Sequence, residues 1–299
     1  MAEILFCSDV IHKHMVEEDY HAELKAVDEL NIPYSLFDLD EFEEGTSLVS
    51  IKNIKRSDEI RQVIYRGWML NARSYAALYN LLLSKKNVAL INTPEEYRFC
   101  HHLPDCYKVI EGKTPKSVWI SRLPISKIAL IIDDVLKPFG KKPIILKDYV
   151  KSAKHYWDTA CFIPDASDIN KVIATIEEFH KIRDGITGGL VFREYIELEQ
   201  IGTHPISKIP ISKEYRLFFL NGEIIDISPY WEEGEYDLEL PPVHEAEAIA
   251  KKVKSKFFSM DVAKTCSGYW VIIELGDGQV SGLPVGCDIK KFYAKLKEE

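Results

Sequence analysis

The sequence predicts an N-terminal α/β domain on a parallel sheet, followed by a larger α+β region built on antiparallel strands. Three observations lead there. Short apolar strands alternate with helical stretches over the first part of the chain, which favours parallel strands crossed by helices. Beyond about residue 92 that alternation gives way to longer strands. Within those, Asn221-Gly222 joins two apolar runs, the strongest short-range hairpin signal in the chain.

Taken in order, Glu3 to Cys7 is a short apolar strand. His14 to Leu30 reads as a helix, with Ala22, Leu24, Val27 and Leu30 near helical spacing, stopped by Asn31-Ile32-Pro33. Tyr34 to Leu39 is a second strand, Asp40 to Ser57 a mixed polar excursion, and Val63 to Trp68 a third strand and turn. Ser74 to Ser84 is a helix and Val88 to Ile91 a fourth strand. No Gly-x-Gly-x-x-Gly follows the first strand, which argues against an ordinary nicotinamide-binding domain. Arg66 and Trp68 stand at the strand edge where ligands collect in such sheets, although packing or capping accounts for either residue equally well.

Thr93-Pro94-Glu95-Glu96 is a helix start with an N-cap, a first-turn proline and a capping-box glutamate. Strands are expected over Ser117 to Ser121, Pro143 to Tyr149, Trp157 to Ile163, Leu190 to Leu198, Tyr215 to Leu220 and Glu223 to Ser228. Helices are expected over Asp168 to Arg183 and His244 to Ser255. Lys256 to Val280 reads as two more apolar strands around a Ser-Gly turn.

Several charges lie where burial is expected. Asp261 and Glu274 each sit in an apolar strand, which is costly unless the carboxylate is paired or binds a cation. A pair on neighbouring strands suits a hard metal such as Mg²⁺, although a salt bridge and a strand-end acid would also explain it. Lys147 ends an apolar strand and precedes a turn carrying Lys151, Ser152 and Lys154: either a clamp for phosphate or a solvated hairpin tip. Arg216 on the hairpin likewise needs an acid or a phosphate. Cys100-His101-His102 with Cys106 lacks the second ligand pair of a zinc site, and the six cysteines read as free thiols.

The chain has 299 residues, 46% hydrophobic and 28% charged, an ordinary globular composition. A net charge of −9 argues against broad nucleic-acid binding, leaving room only for a local basic groove. The longest apolar runs are too short to cross a bilayer, and no secretory leader is recognisable, so a cytoplasmic protein without membrane contact is expected.

In chain order these segments resemble the ATP-grasp superfamily over nearly the whole chain. The phrases Tyr65-Arg66-Gly67-Trp68, Ile91-Asn92-Thr93-Pro94-Glu95 and Ile273 to Val280 are similar to the R-two-K clade of bacterial and phage ATP-grasp proteins. The resemblance implies a Rossmann-like pre-ATP-grasp domain over residues 1–92 and a catalytic domain over 93–299, with a small lid subdomain at about 115–190. It implies that Lys108 and Lys147 are the nucleotide lysines and that Lys151, Ser152 and Lys154 form the phosphate loop. Arg193, Glu194, Tyr195 and Ile196 correspond to the adenine hinge, and Glu197 or Glu199 to the ribose acid. Arg216 corresponds to a phosphate-side arginine, and Asp261 and Glu274 to the metal ligands. Two departures stand out. The phosphate loop has no glycine cluster, and the usual Glu-x-Asn pair reads Glu274-Leu275-Gly276, which leaves Asp277 as the replacement ligand.

The implied activity is ATP- and Mg²⁺-dependent ligation of a carboxylate to an amine through an acylphosphate. Arg216 and Lys147 would be catalytic, and Arg66 would grip the acceptor: a small molecule, a peptide or a protein tail. A nucleic-acid ligase or end-modifying enzyme, and a nucleotide-binding protein without catalysis, are the rival readings.

Overall fold

The computed structural model describes residues 3–183, 185–205 and 210–298. Four strands, β1 (Glu3–Cys7), β2 (Tyr34–Phe37), β3 (Arg61–Arg66) and β4 (Val88–Leu90), form a parallel sheet in the order β2-β1-β3-β4. Between them run α1 (His21–Glu29), two short helices, α2 (Leu39–Glu43) and α3 (Ser47–Ser50), and α4 (Ala72–Lys86). The helix expected over His14 to Leu30 is thus confined to its second half, after a single 3-10 turn.

Two helices lead out of this sheet, α5 (Pro94–His101) and α6 (Leu103–Ile110). The expected capping box forms at α5, where Thr93 and Glu96 satisfy each other's backbone N–H. Next comes a four-stranded antiparallel sheet, ordered β5-β8-β6-β7. Its strands are β5 (Ser117–Ser121), β6 (Ile144–Asp148), β7 (Phe162–Ile163) and β8 (Gly189–Glu194). Helices α7 (Ile125–Leu136) and α8 (Ile169–Ile182) cover it around one apolar core. Helix α7 was not anticipated: its apolar run is short, and only the buried Ile128, Ile132 and Leu136, four residues apart, mark the helical face. Trp157 to Cys161, expected as strand, makes a π-helical turn, leaving two residues to pair in β7.

The third sheet is antiparallel, ordered β12-β11-β13-β14. It contains β11 (Glu214–Leu220), β12 (Glu223–Pro229), β13 (Phe257–Lys264) and β14 (Trp270–Asp277), preceded by a two-stranded ribbon, β9 (Gln200–Thr203) with β10 (Pro210–Ser212). The β11–β12 turn is Asn221-Gly222 with both residues at positive φ, as a tight hairpin requires. Helix α9 (Val243–Ala250) stops well short of Ser255, and α10 (Ile289–Lys297) closes the chain. One face of the parallel sheet, with Ile4, Phe6 and Ile64, shares a core with Phe218, Leu220 and Phe257 of the third sheet and with Phe292 and Leu296 of α10. The third sheet is therefore held against the N-terminal sheet by common burial as well as by chain connection. Among the described residues no helix is long and apolar enough to cross a membrane.

Candidate functional site

Strand parity assembles the acidic side of the site. Side chains two residues apart share a sheet face, and directly opposed residues share it across strands. Asp261 pairs with Arg216 on one side and with Glu274 on the other, so all three project from the same face. Glu214, two residues before Arg216, joins them, as does Ser259, two before Asp261 and opposite Gly276. Arg216 grips Asp261 through both carboxylate oxygens, at 2.8 and 2.7 Å, and stacks 4.9 Å from the Tyr230 ring. Its remaining nitrogen donates to the Gly282 carbonyl at 3.0 Å.

The basic side comes from the second sheet. Lys147 on β6 is buried, and its ammonium lies 3.8 Å from Glu274 Oε2. Burial lowers its pKa, with Glu274 opposing and Arg193 adding to the fall. Burial alone would raise Glu274, yet Lys147, Lys154, Arg216 and Arg193 together hold it below the usual carboxylate range. Arg193 is buried on β8, where it donates to Thr114 Oγ1 at 2.8 Å and to the Ile272 carbonyl at 3.0 Å. Burial, offset chiefly by Glu274, brings it down to about 10, as expected of a cation short of counter-charge.

The chain after Lys147 turns back tightly. Asp148, fully buried, accepts from the Val150 and Lys151 N–H groups at 2.7 and 2.6 Å and pairs with Arg183 at 2.9 Å. A carboxylate thus shapes this loop where glycines would be expected. Ser152 bridges back to Lys147. Burial works against the charge of Lys154, but Glu214, Glu274, Tyr230 and Asp261 hold its pKa above the ordinary lysine value. Glu214 is buried, which pushes its carboxyl up to about 7; Asp261 and Glu274 add to the rise while Lys154 and Arg216 oppose it.

Between the two sheets lies a cavity of about 190 Å³, lined by Lys147, Lys151, Arg216, Asp261 and Glu274 among others. His101, at the end of α5, also lines it. Burial pushes His101 down to about 4, so its ring is neutral, with Nδ1 3.1 Å from the Tyr97 carbonyl.

Arg66, Asp277 and Lys108 are among the expected site residues that are not brought here. Arg66 is fully buried: Nε and Nη2 pair with Glu23 at 2.8 Å each, and Nη1 donates to the carbonyls of Gly278, Gln279 and Ser281. Buried among these partners, it lies outside the cavity lining and instead clasps the loop after β14. Asp277 lies three residues after Glu274, so the period of two sends it to the opposite face. There it accepts from Asn92 at 2.6 Å and from Gln279, walled off from the cavity. Lys108 is exposed on α6; helical geometry turns it away from Leu103 and Cys106, the α6 residues that reach the cavity.

The expected hinge residues lie outside the cavity lining. Glu194 accepts from Lys142 at 2.6 Å, and the Tyr195 ring packs edge-on against Phe162 and Trp157, with Ile196 half-buried beside it. The Glu197 carbonyl accepts from Cys266 N–H, and the Glu199 carboxylate sits between Lys213 and Lys264. Glu214, His101, Ser259 and Ser281 were not anticipated as site residues. Parity was the available signal for Glu214, two before Arg216, and for Ser259, two before Asp261; His101 and Ser281 had none.

Cations on one antiparallel sheet, facing carboxylates on a second across a cleft, form the arrangement of the ATP-grasp fold. The family model for the ATP-grasp domain of R-two-K clade family 3 matches residues 138–296, and the chain belongs to that family. Solved structures share the fold at low identity. The RimK domain ATP-grasp protein from Sphaerobacter thermophilus DSM 20745 has a TM-score of 0.61 at 13% identity, covering 100% of both chains. D-cycloserine synthetase DcsG has a TM-score of 0.61 at 14% identity, covering 99% of each chain. The ATP-grasp ligase PsnB, complexed with precursor peptide PsnA2 and AMPPNP, has a TM-score of 0.57 at 13% identity, covering 99% of this chain and 96% of the other. No curated protein matches the sequence.

Proposed function

We propose that this protein is an ATP- and Mg²⁺-dependent ligase that phosphorylates a carboxylate and joins the resulting acylphosphate to an amine. The observation that carries the reading is the facing of Lys147 and Arg193, cations short of counter-charge, by Asp261 and Glu274 across a cleft in an ATP-grasp fold. The acceptor in this reading is an amino acid, a peptide or a protein tail. Structures of the fold neighbours PsnB and MdnC with precursor peptides support a peptide acceptor, and the PsnB complex with Mg and ADP supports the cofactors.

The donor set suits the metal: hard oxygen ligands from two facing carboxylates, with phosphate and water to complete the shell. Bound there, Mg²⁺ would screen the phosphate charge. Lys147 holds the transferring phosphoryl group from the lid side, and Lys151 and Lys154 close over it from the loop. Arg216 steadies Asp261 and adds positive charge where negative charge builds. The acceptor carboxylate takes the γ-phosphoryl group as ADP leaves with the electron pair of the broken P–O bond; the amine then forms the new bond to its carbonyl carbon, phosphate leaves with the electron pair of the C–O bond, and the amine's proton passes to solvent or phosphate. No protein nucleophile is needed. The reading also treats residues up to about 92 as the pre-ATP-grasp domain and 93–299 as the catalytic domain.

Protein supplied with ATP, Mg²⁺ and pooled amino acids and peptides should release ADP and phosphate. Release of AMP and pyrophosphate would rule out the acylphosphate route.

A further inference from the structure

We propose that the hydroxyl of Ser259 supplies a third protein oxygen to the divalent cation held by Asp261 and Glu274, in the space left by Gly276. The inference rests on the Mg·ATP reading above.

Glu214 shares this face, but among the described residues no third histidine, cysteine, aspartate or glutamate forms a metal-holding group with the two carboxylates, so a further protein ligand is sought among neutral oxygens. Gly276 shares the face of Glu274, where a longer side chain would complete the set. A Cβ built there would lie 2.7 Å from Ser259 Oγ and 2.8 Å from Ser281 Oγ: the place is already filled by two hydroxyls. The amide oxygen of an asparagine would reach about as far from its Cβ as Ser259 Oγ lies from this point.

Proton accounting fixes what those hydroxyls offer. Ser281 has one hydrogen, and Oγ gives it to the Asp277 carbonyl at 2.8 Å. The 2.7 Å contact between the two hydroxyls therefore has Ser259 as donor. Ser259, only 2% exposed, is left with its lone pairs as acceptors, and it lines the same cavity as Asp261 and Glu274. Arg66 holds the Ser281 carbonyl at 3.0 Å, so the hydroxyl pair stands on a fixed loop. Because Arg216 already neutralises much of Asp261, a neutral third ligand leaves the site too weakly charged to keep a cation by itself. The cation is retained when phosphate oxygens complete its shell.

Mn²⁺, followed by loss of its free paramagnetic signal, is the probe. Wild-type protein should bind Mn²⁺ with AMPPNP and much more weakly without it. Ser259→Ala should weaken Mn²⁺ binding in the presence of AMPPNP by about tenfold or more, with metal-free AMPPNP affinity unchanged. Ser259→Cys, close in size, should lose Mn²⁺ and gain Cd²⁺, because a sulfur ligand favours the softer ion. Wild-type Mn²⁺ affinity in Ser259→Ala, or an unaltered Mn²⁺/Cd²⁺ preference in a folded Ser259→Cys, would overturn the serine ligand and leave the Mg·ATP reading standing. Wild-type protein that bound neither AMPPNP nor Mn²⁺ would overturn both.

Discussion

Lys147 and Glu274 face each other at 3.8 Å from different sheets, one on β6 and the other on β14. Neither is fully satisfied by the other, and the gap between them opens onto the cavity. Lys147→Ala should therefore weaken Mg·AMPPNP binding strongly, by about 2–5 kcal/mol if a buried charge–phosphate contact is lost. Calorimetric titration reads this directly. Unchanged affinity in a folded variant would remove Lys147 from the nucleotide site.

Arg66→Ala should act on stability. It strands Glu23 as a buried carboxylate and frees three carbonyls, at a cost of about 3–5 kcal/mol. Urea unfolding of the variant tests this. An undiminished midpoint accompanied by a raised KM for the acceptor would return Arg66 to a substrate-binding role.

Stability should also depend on pH through Asp277. Burial raises its carboxyl from 3.8 to about 7, against the hydrogen bonds from Asn92 and Gln279. The folded state thus holds the proton more tightly than the unfolded one. This contribution is complete below about pH 3.8 and disappears as pH rises through about 7, on the order of 4 kcal/mol across the whole window. The unfolding free energy of wild type minus that of Asp277→Asn should fall between about pH 4 and about pH 7 and level off above it. A difference that stayed flat or rose would contradict the assignment.

Asp148 organises the loop after β6, the proposed phosphate loop, from outside the cavity lining. Asp148→Ala releases two loop N–H groups and Arg183, so amide hydrogen exchange over residues 149–154 should quicken and AMPPNP affinity should drop several-fold. The loss of stability is expected to be about 1–3 kcal/mol. Exchange rates equal to wild type would show that the loop is held by other contacts.

Much of the site was legible because a charge in an apolar strand is conspicuous. Asp261, Glu274, Lys147 and Arg216 each broke an otherwise buried pattern, and the structure gathers all four. Asp277, expected from the resemblance as the replacement ligand, and Arg66, expected from its place at a strand edge, are instead answered by Asn92 and Glu23, partners remote in sequence. For Asp277 the error was avoidable, since an odd spacing from Glu274 cannot keep both on one face of a regular strand. Ser259 and Ser281 left no trace because serine is unremarkable in a strand or a turn, and their meeting depends on how the chain after β14 folds back. Helix α7 escaped for a related reason: an apolar run shows its period only when the buried face is known.

The clasp made by Arg66 has a consequence for how this protein can be divided. The loop from Gly278 to Gly282 carries the carbonyl that braces Arg216 and the hydroxyl beside Ser259, yet its shape is dictated by a guanidinium rooted in the first sheet. A fragment beginning after residue 92 would retain the named carboxylates and lysines while losing the scaffold that aims them. The matched family region, residues 138–296, is in this respect half of a machine whose alignment pin is kept in the other half.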